Sequence, residues 1–220
     1  MKVFADRNEA GGQLSAALKD ISKDAIVLAV PRGGVVVGYQ IAHRLNIPLD
    51  VIITKKIGAP GNPELAIGAV AEDGTYILDD DVIQMVNAPQ DYIKTEAERQ
   101  KTEIERRLRT YRGDSPSSSI KGREVILVDD GVATGSTLKA ALRSLRKRSA
   151  STIIVAVPVG PTDTIQAFKR EADRVICLYT PEPFYAIGQF YDNFEQTTDQ
   201  EVIALLKQSK KELEGKEGTT

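Results

Sequence analysis

Short apolar runs recur along the chain, and each gives way to a turn and then to apolar positions at helical spacing. Ala25–Val30, Val51–Ile53, Val125–Val128, Thr152–Val157 and Arg174–Leu178 are too apolar for strands with one wet face. Such runs predict strands covered on both sides, as in a parallel sheet. Helical spacing predicts helices over Asn8–Leu18, Val35–Leu45, Leu138–Arg148, Thr162–Glu171 and Asp199–Leu206. Strand and helix alternate, so the fold class is α/β, an open and mainly parallel sheet flanked by helices.

The middle of the chain departs from that alternation. Val51–Ile53 is expected to end in Thr54-Lys55-Lys56 and to open a loop rich in Gly and Pro, Ile57–Pro63. Ile67–Ala71 and Thr75–Leu78 predict short strands around Glu72-Asp73-Gly74, and Asp79-Asp80-Asp81 leads into a short helix. Pro89–Tyr111 reads as one long charged helix packed by the stripe Ile93, Ala97, Ile104, Leu108 and Tyr111. Residues 181–198 are rich in aromatics, and residues 209–220 read as a disordered polar tail. Residues 1–208 are expected to form a single domain.

Composition narrows the function. The 220 residues carry a net charge of −2. Acids alternate with bases along the long helix, so a nucleic-acid face is not expected. The single Cys177 lies inside an apolar run, which permits no disulfide within the chain and points to a core position. Neither a signal-peptide core nor a membrane-length apolar run is visible, so a cytoplasmic protein without a membrane partner is expected. The lone His43 falls within a predicted helix and reads as structural.

The densest chemistry lies in Val125–Thr137, VILVDDGVATGST. A buried strand delivers the adjacent carboxylates Asp129 and Asp130 to its carboxyl end, where open α/β sheets bind ligands. Ala133, Thr134, Gly135, Ser136 and Thr137 then form a small-residue turn at a helix N-terminus, which suits an anion. Two carboxylates repel a phosphate unless the ligand also brings hydroxyl donors or a cation. The first strand ends in Pro31-Arg32-Gly33-Gly34, not in Gly-x-Gly-x-x-Gly, so a dinucleotide fingerprint is absent from this sequence.

Val125–Thr137 resembles the 5-phosphoribosyl-1-pyrophosphate (PRPP) motif of the type I phosphoribosyltransferases, and the likeness extends over most of the chain. The resemblance implies that family's fold with a small hood subdomain, here about residues 181–198, and a long inserted helix, about residues 89–112. It implies a magnesium-dependent transfer of ribose 5-phosphate from PRPP to a nitrogenous base, releasing pyrophosphate, as in nucleotide salvage. On that likeness Asp129 and Asp130 hold the ribose hydroxyls and help hold Mg2+, while Ala133, Thr134, Gly135, Ser136 and Thr137 cradle the 5-phosphate. Arg32, Gly33 and Gly34 form the pyrophosphate loop, whose peptide bond before Arg32 is often cis in the family. Lys55, or failing that Lys56, meets the leaving pyrophosphate from a loop that closes over the substrate. Phe184 or Tyr185 stacks on the base, and Asp192 supplies a later acid to the metal. Dimers are common in the family, so a homodimer is a further expectation.

Ala133 occupies the place where some 6-oxopurine enzymes carry an aspartate, which weakens a hypoxanthine or guanine assignment and leaves the base open. The alternative is a non-catalytic PRPP-binding regulator. Pro31–Gly34 and Lys55-Lys56 favour the enzyme, because a sensor has no need of pyrophosphate chemistry.

Overall fold

The computed structural model describes residues 3–113 and 115–217. Its centre is a five-stranded parallel sheet of β1 (Ile26–Ala29), β2 (Leu49–Val51), β6 (Glu124–Val128), β7 (Thr152–Val159) and β8 (Arg174–Tyr179), in the order β2-β1-β6-β7-β8. Side chains alternate across it as a pleated strand requires. Ile26, Leu28, Val125, Leu127, Ile153 and Val155 enter one core, beneath α5 (Ser136–Lys147) and α6 (Thr162–Phe168). Val27, Ile126, Val128, Ile154 and Ala156 enter the opposite core, beneath α1 (Arg7–Ala17) and α2 (Gly33–Leu45). Both faces are thus dry, as the unbroken apolar runs require.

Strand order reverses between β1 and β6: the chain leaves β1 toward β2 on one side and later builds β7 and β8 on the other. The carboxyl ends of these two neighbours bound the crevice where open α/β sheets bind ligands. Ile26–Ala29 lie in register with Val125–Val128, so Pro31-Arg32-Gly33-Gly34 and Asp129-Asp130 leave the sheet side by side.

Three expectations are corrected. The second core strand stops at Val51, and Thr54-Lys55-Lys56 begin β3 (Thr54–Ala59) of a separate antiparallel sheet with β4 (Asn62–Ala71) and β5 (Tyr76–Leu78). The expected Gly/Pro loop is therefore a hairpin. Pro60-Gly61 make its turn, with Gly61 at φ +72°, and register shifts on either side of Gly58 absorb the irregular sequence. The polar tail is ordered as far as it is described: α7 runs Asp199–Glu217, with residues 218–220 outside the described residues. Glu212 on α7 accepts hydrogen bonds from Tyr39 Oη and Gln208 Nε2 and lies 2.8 Å from His43 Nδ1, which pins this polar segment to α2.

The remaining helices match their sequence signals closely. In α3 (Asp80–Val86) the Asp79 carboxylate caps Val82 N, and α4 spans Gln90–Arg112 with Ile93, Ala97, Ile104 and Tyr111 buried. The interior of β8 holds Cys177, whose thiol burial pushes up to about 11, an inert packing group. Among the described residues no helix is long and apolar enough to cross a membrane.

Candidate active site

Two loops meet at the β1/β6 crevice with almost no space between them. A Cβ on Gly33 would run into Asp130 Oδ2, and one on Gly34 would lie 2.9 Å from Asp129 Cα. Any side chain at either position would push the loop off the acidic pair. The Pro31–Arg32 peptide is cis, as the family resemblance leads one to expect. Arg32 is the N-cap of α2, and α2 begins without a side-chain cap among the described residues, so its first N–H groups remain available to an anion.

The acidic pair is held by partners distant in sequence. Asp129 Oδ1 accepts the Asp130 N–H at 2.8 Å. Arg7 Nε, from the first turn of α1, donates to Asp130 Oδ2 at 2.7 Å, and its guanidinium lies 3.8 Å from the centre of the Phe194 ring. Tyr191 Oη donates to the Asp130 carbonyl at 2.6 Å. Burial first, and the neighbouring Asp130 carboxylate second, raise the Asp129 pKa well above the ordinary carboxylate value. Arg7 pairs directly with Asp130 and only partly offsets the burial of Asp129, so a cation or a set of hydroxyl donors at this pair would favour the ionised form of Asp129. Sequence reasoning missed Arg7. It lies 123 residues from its partner, and nothing in its local sequence marks it.

Residues 133–137 turn directly from the acidic pair into α5. Gly135 takes φ +77° as the N-cap of α5, again with no side-chain cap among the described residues. Its missing Cβ would meet Thr164 and the Phe168 ring at 2.9 and 2.8 Å. The Ala133 carbonyl accepts Thr164 Oγ1 at 2.7 Å, and Thr134 Oγ1 lies 3.4 Å from Ser136 Oγ. Ser136 and Thr137 start α5, so the loop presents a turn of N–H groups and hydroxyls toward solvent.

The two lysines part company. Lys56 reaches across the hairpin to Glu64 Oε2 at 2.7 Å. Lys55 alternates to the other face and looks toward α4, its ammonium pKa lowered by burial and by Arg107. Neither stands at the end of a core strand, because β3 belongs to the antiparallel sheet.

The aromatic segment after β8 carries the remaining candidates. The Phe184 ring is half-buried and packs on Phe190 at 5.2 Å, whereas Tyr185 is 83% exposed, so of the two candidate rings Tyr185 is the more accessible. It borders an open groove of about 730 Å³ together with Tyr179, Thr180, Glu182 and Gln189. Asp192 is exposed, and among the described residues no group of three or more carboxylate, imidazole or thiol side chains is gathered to hold a metal by itself. The extended backbone at Tyr191 buries the tyrosine against Asp130 and turns the Asp192 side chain to the outer face.

Known proteins resemble this chain in sequence and fold. Two Mycobacterium tuberculosis relatives, from strains H37Rv and CDC 1551 and both bearing the name "Putative phosphoribosyl transferase", are 42% identical over 214 residues, 97% of this chain and 48% of each relative. This chain thus spans about half the length of the curated relatives it matches. The crystal structure of TT1426 from Thermus thermophilus is 41% identical, with a TM-score of 0.80 over 94% of this chain and 98% of that one. AQ2163 from Aquifex aeolicus, 14% identical with a TM-score of 0.50 over 83% of this chain and 78% of its own, shares the fold alone. The phosphoribosyl transferase domain model matches residues 7–194, from the arginine that holds Asp130 to the ring beneath that arginine. By that match, and by the type I architecture around it, this chain belongs to the phosphoribosyltransferase family.

Proposed function

We propose that the chain transfers ribose 5-phosphate from PRPP to a nitrogenous base and releases pyrophosphate. The observation that carries this reading is the direct packing of Gly33 and Gly34 on Asp130 and Asp129, which joins an anion loop to a hydroxyl-accepting carboxylate pair. A plain phosphate would need only the first, and a plain sugar only the second.

On this reading Asp129 and Asp130 accept hydrogen bonds from the two ribose hydroxyls. Arg7 leaves Asp130 one oxygen for that task. The N–H groups at the start of α5, with Thr134, Ser136 and Thr137, take the 5-phosphate. The N–H groups at the start of α2 and the Arg32 guanidinium take the pyrophosphate. As the bond from C1 of the ribose to the pyrophosphate oxygen breaks, its electron pair leaves with pyrophosphate. The base nitrogen bonds to C1 and sheds its proton to solvent. The chain contributes by positioning and by fixed charge around the developing ions. Tyr185 offers its exposed face to the base, where stacking is worth about 1–3 kcal/mol. Lys55 remains the candidate to approach the leaving group if the antiparallel sheet closes, with Lys56 held on Glu64.

Magnesium fits the donor set. Mg2+ takes one or two carboxylates together with substrate phosphates and water, and Asp129 is a carboxylate whose ionised form a cation would favour. When bound, the ion neutralises charge on the pyrophosphate. The test is a panel: with Mg2+, PRPP and a set of purines, pyrimidines and other nitrogen nucleophiles, one base should give pyrophosphate release dependent on both. Binding of PRPP with no turnover on any base would turn the reading toward a PRPP-responsive regulator.

A further inference from the structure

The long helix α4 and the terminal helix α7 lie outside the motifs that define the site, yet both reach its pyrophosphate end. Tyr111, in the last turn of α4, donates its hydroxyl to Asp199 Oδ1 at 2.7 Å. The same carboxylate oxygen lies 3.8 Å from Arg32 Nη1. Burial and the carboxylate together push the Tyr111 hydroxyl up to about 12, so it remains a donor.

Two features separate this contact from ordinary helix anchoring. Asp199 is the first residue of α7 and is not its cap: Thr198 Oγ1 accepts the Glu201 N–H at 3.2 Å, and Glu201 Oε2 accepts both Thr198 N and Thr198 Oγ1. The distance to Arg32 is also too long for a hydrogen bond. The tyrosine fixes the carboxylate where it attracts the guanidinium by charge without tying up its N–H donors.

We propose that Asp199, locked by Tyr111, is a positioning residue that holds Arg32 at the mouth of the site with its donors free for the pyrophosphate of PRPP. This rests on the PRPP reading above. It assigns the inserted helix and the terminal helix a part in leaving-group recognition rather than a purely structural one.

The test uses the full chain and calorimetry with three ligands: Mg–PRPP, Mg–pyrophosphate and ribose 5-phosphate. Asp199→Ala should weaken the two pyrophosphate-bearing ligands about fivefold, the scale of a partly exposed ion pair, and leave ribose 5-phosphate within a factor of about two. Asp199→Asn, which can still accept the Tyr111 hydroxyl, should keep the wild-type thermal midpoint and show the same selective loss. Tyr111→Phe should show a smaller loss with the same selectivity. Equal losses for all three ligands, or pyrophosphate binding unchanged or tighter in Asp199→Asn, overturns the assignment. A wild-type chain that binds ribose 5-phosphate and neither pyrophosphate nor PRPP removes the PRPP reading itself, and the positioning role falls with it.

Discussion

Replacing Asp129 and Asp130 together by asparagine is expected to lower Mg–PRPP affinity by about two to four decades. Two charge-assisted hydrogen bonds to ribose hydroxyls contribute about 1.5–3 kcal/mol each, and each 1.4 kcal/mol is a factor of ten. The single variant Asp129→Asn separates function from stability, because the two should move in opposite directions. Asp129 has a raised pKa in the folded chain, so the native state holds a proton that the unfolded chain releases. For such a group stability falls as pH rises from the ordinary carboxylate range, about 3.9, through the raised value. Asparagine cannot ionise, and its Oδ1 can still accept the Asp130 N–H. Asp129→Asn should therefore melt at or above the wild-type midpoint at neutral pH, with the gain vanishing toward about pH 4, while binding PRPP poorly. Calorimetry showing wild-type affinity in the double variant would sink the assignment of this pair.

The largest effect on stability is expected from Arg112→Ala. Arg112 closes α4 and runs into a buried cluster that ties β2, the turn after β4 and the end of α5. Its Nε donates to Asp50 Oδ1 at 2.8 Å, one terminal nitrogen donates to the Val51 carbonyl, and the other to Ser117 Oγ at 2.9 Å. Glu72 Oε2 lies 3.5 Å away, and Arg148 donates to Glu72 Oε1 at 2.6 Å. The Arg112, Asp50 and Glu72 side chains are each 10% exposed or less. Burial already raises the Glu72 pKa despite both arginines. Removing Arg112 takes the cation from Asp50 and leaves Glu72 with Arg148 alone in a dry place, a loss of about 3–5 kcal/mol. For a chain of this size that corresponds to a melting temperature lower by roughly 10 °C. Arg112→Lys should recover only part of it, since a point charge cannot span the fork that the guanidinium fills. A shift of less than about 2 °C in Arg112→Ala would mean that the cluster is solvated and of little account.

The parts of the site that can be read from sequence are those in which neighbours in the chain are neighbours in space. Val125–Thr137 carries its own strand, turn and helix start, and Pro31–Gly34 does the same for β1 and α2. What escapes reading is tertiary. Arg7 and Tyr191 meet Asp130 across 123 and 61 residues, and no local pattern marks either. The β3–β4 hairpin is hidden because Gly58, Pro60, Gly61 and Pro63 weaken strand propensity, while pairing with the rest of β4 overrides it. Residues 209–217 are polar enough to look disordered, and only their partners on α2 reveal the helix. Lys55 and Lys56 stand out in the sequence as an unusual basic pair, but their sheet depends on pairings that lie beyond their own segment.

The seam between residues 3–5 and the hood bears on how the chain becomes active during synthesis. Val3 N and Phe4 N donate to the Phe190 carbonyl at 2.9 and 3.0 Å, while Asp192 N and Asn193 N donate back to Phe4 and Ala5 at 2.9 and 2.8 Å. Phe4 is nearly sealed against Tyr191, the residue that steadies Asp130. The ribosome delivers one side of this seam roughly 190 residues before the other, at roughly 5–20 residues per second. Phe4 therefore emerges with its partner unmade and must wait about ten seconds or more for it. Asp129 and Asp130 leave the ribosome well before the aromatic segment that supports them. A nascent chain halted after β7 has emerged and before Tyr191 should hold the core strands β1, β6 and β7 yet lack a finished carboxylate pair, so ligand competence arrives late and in one step.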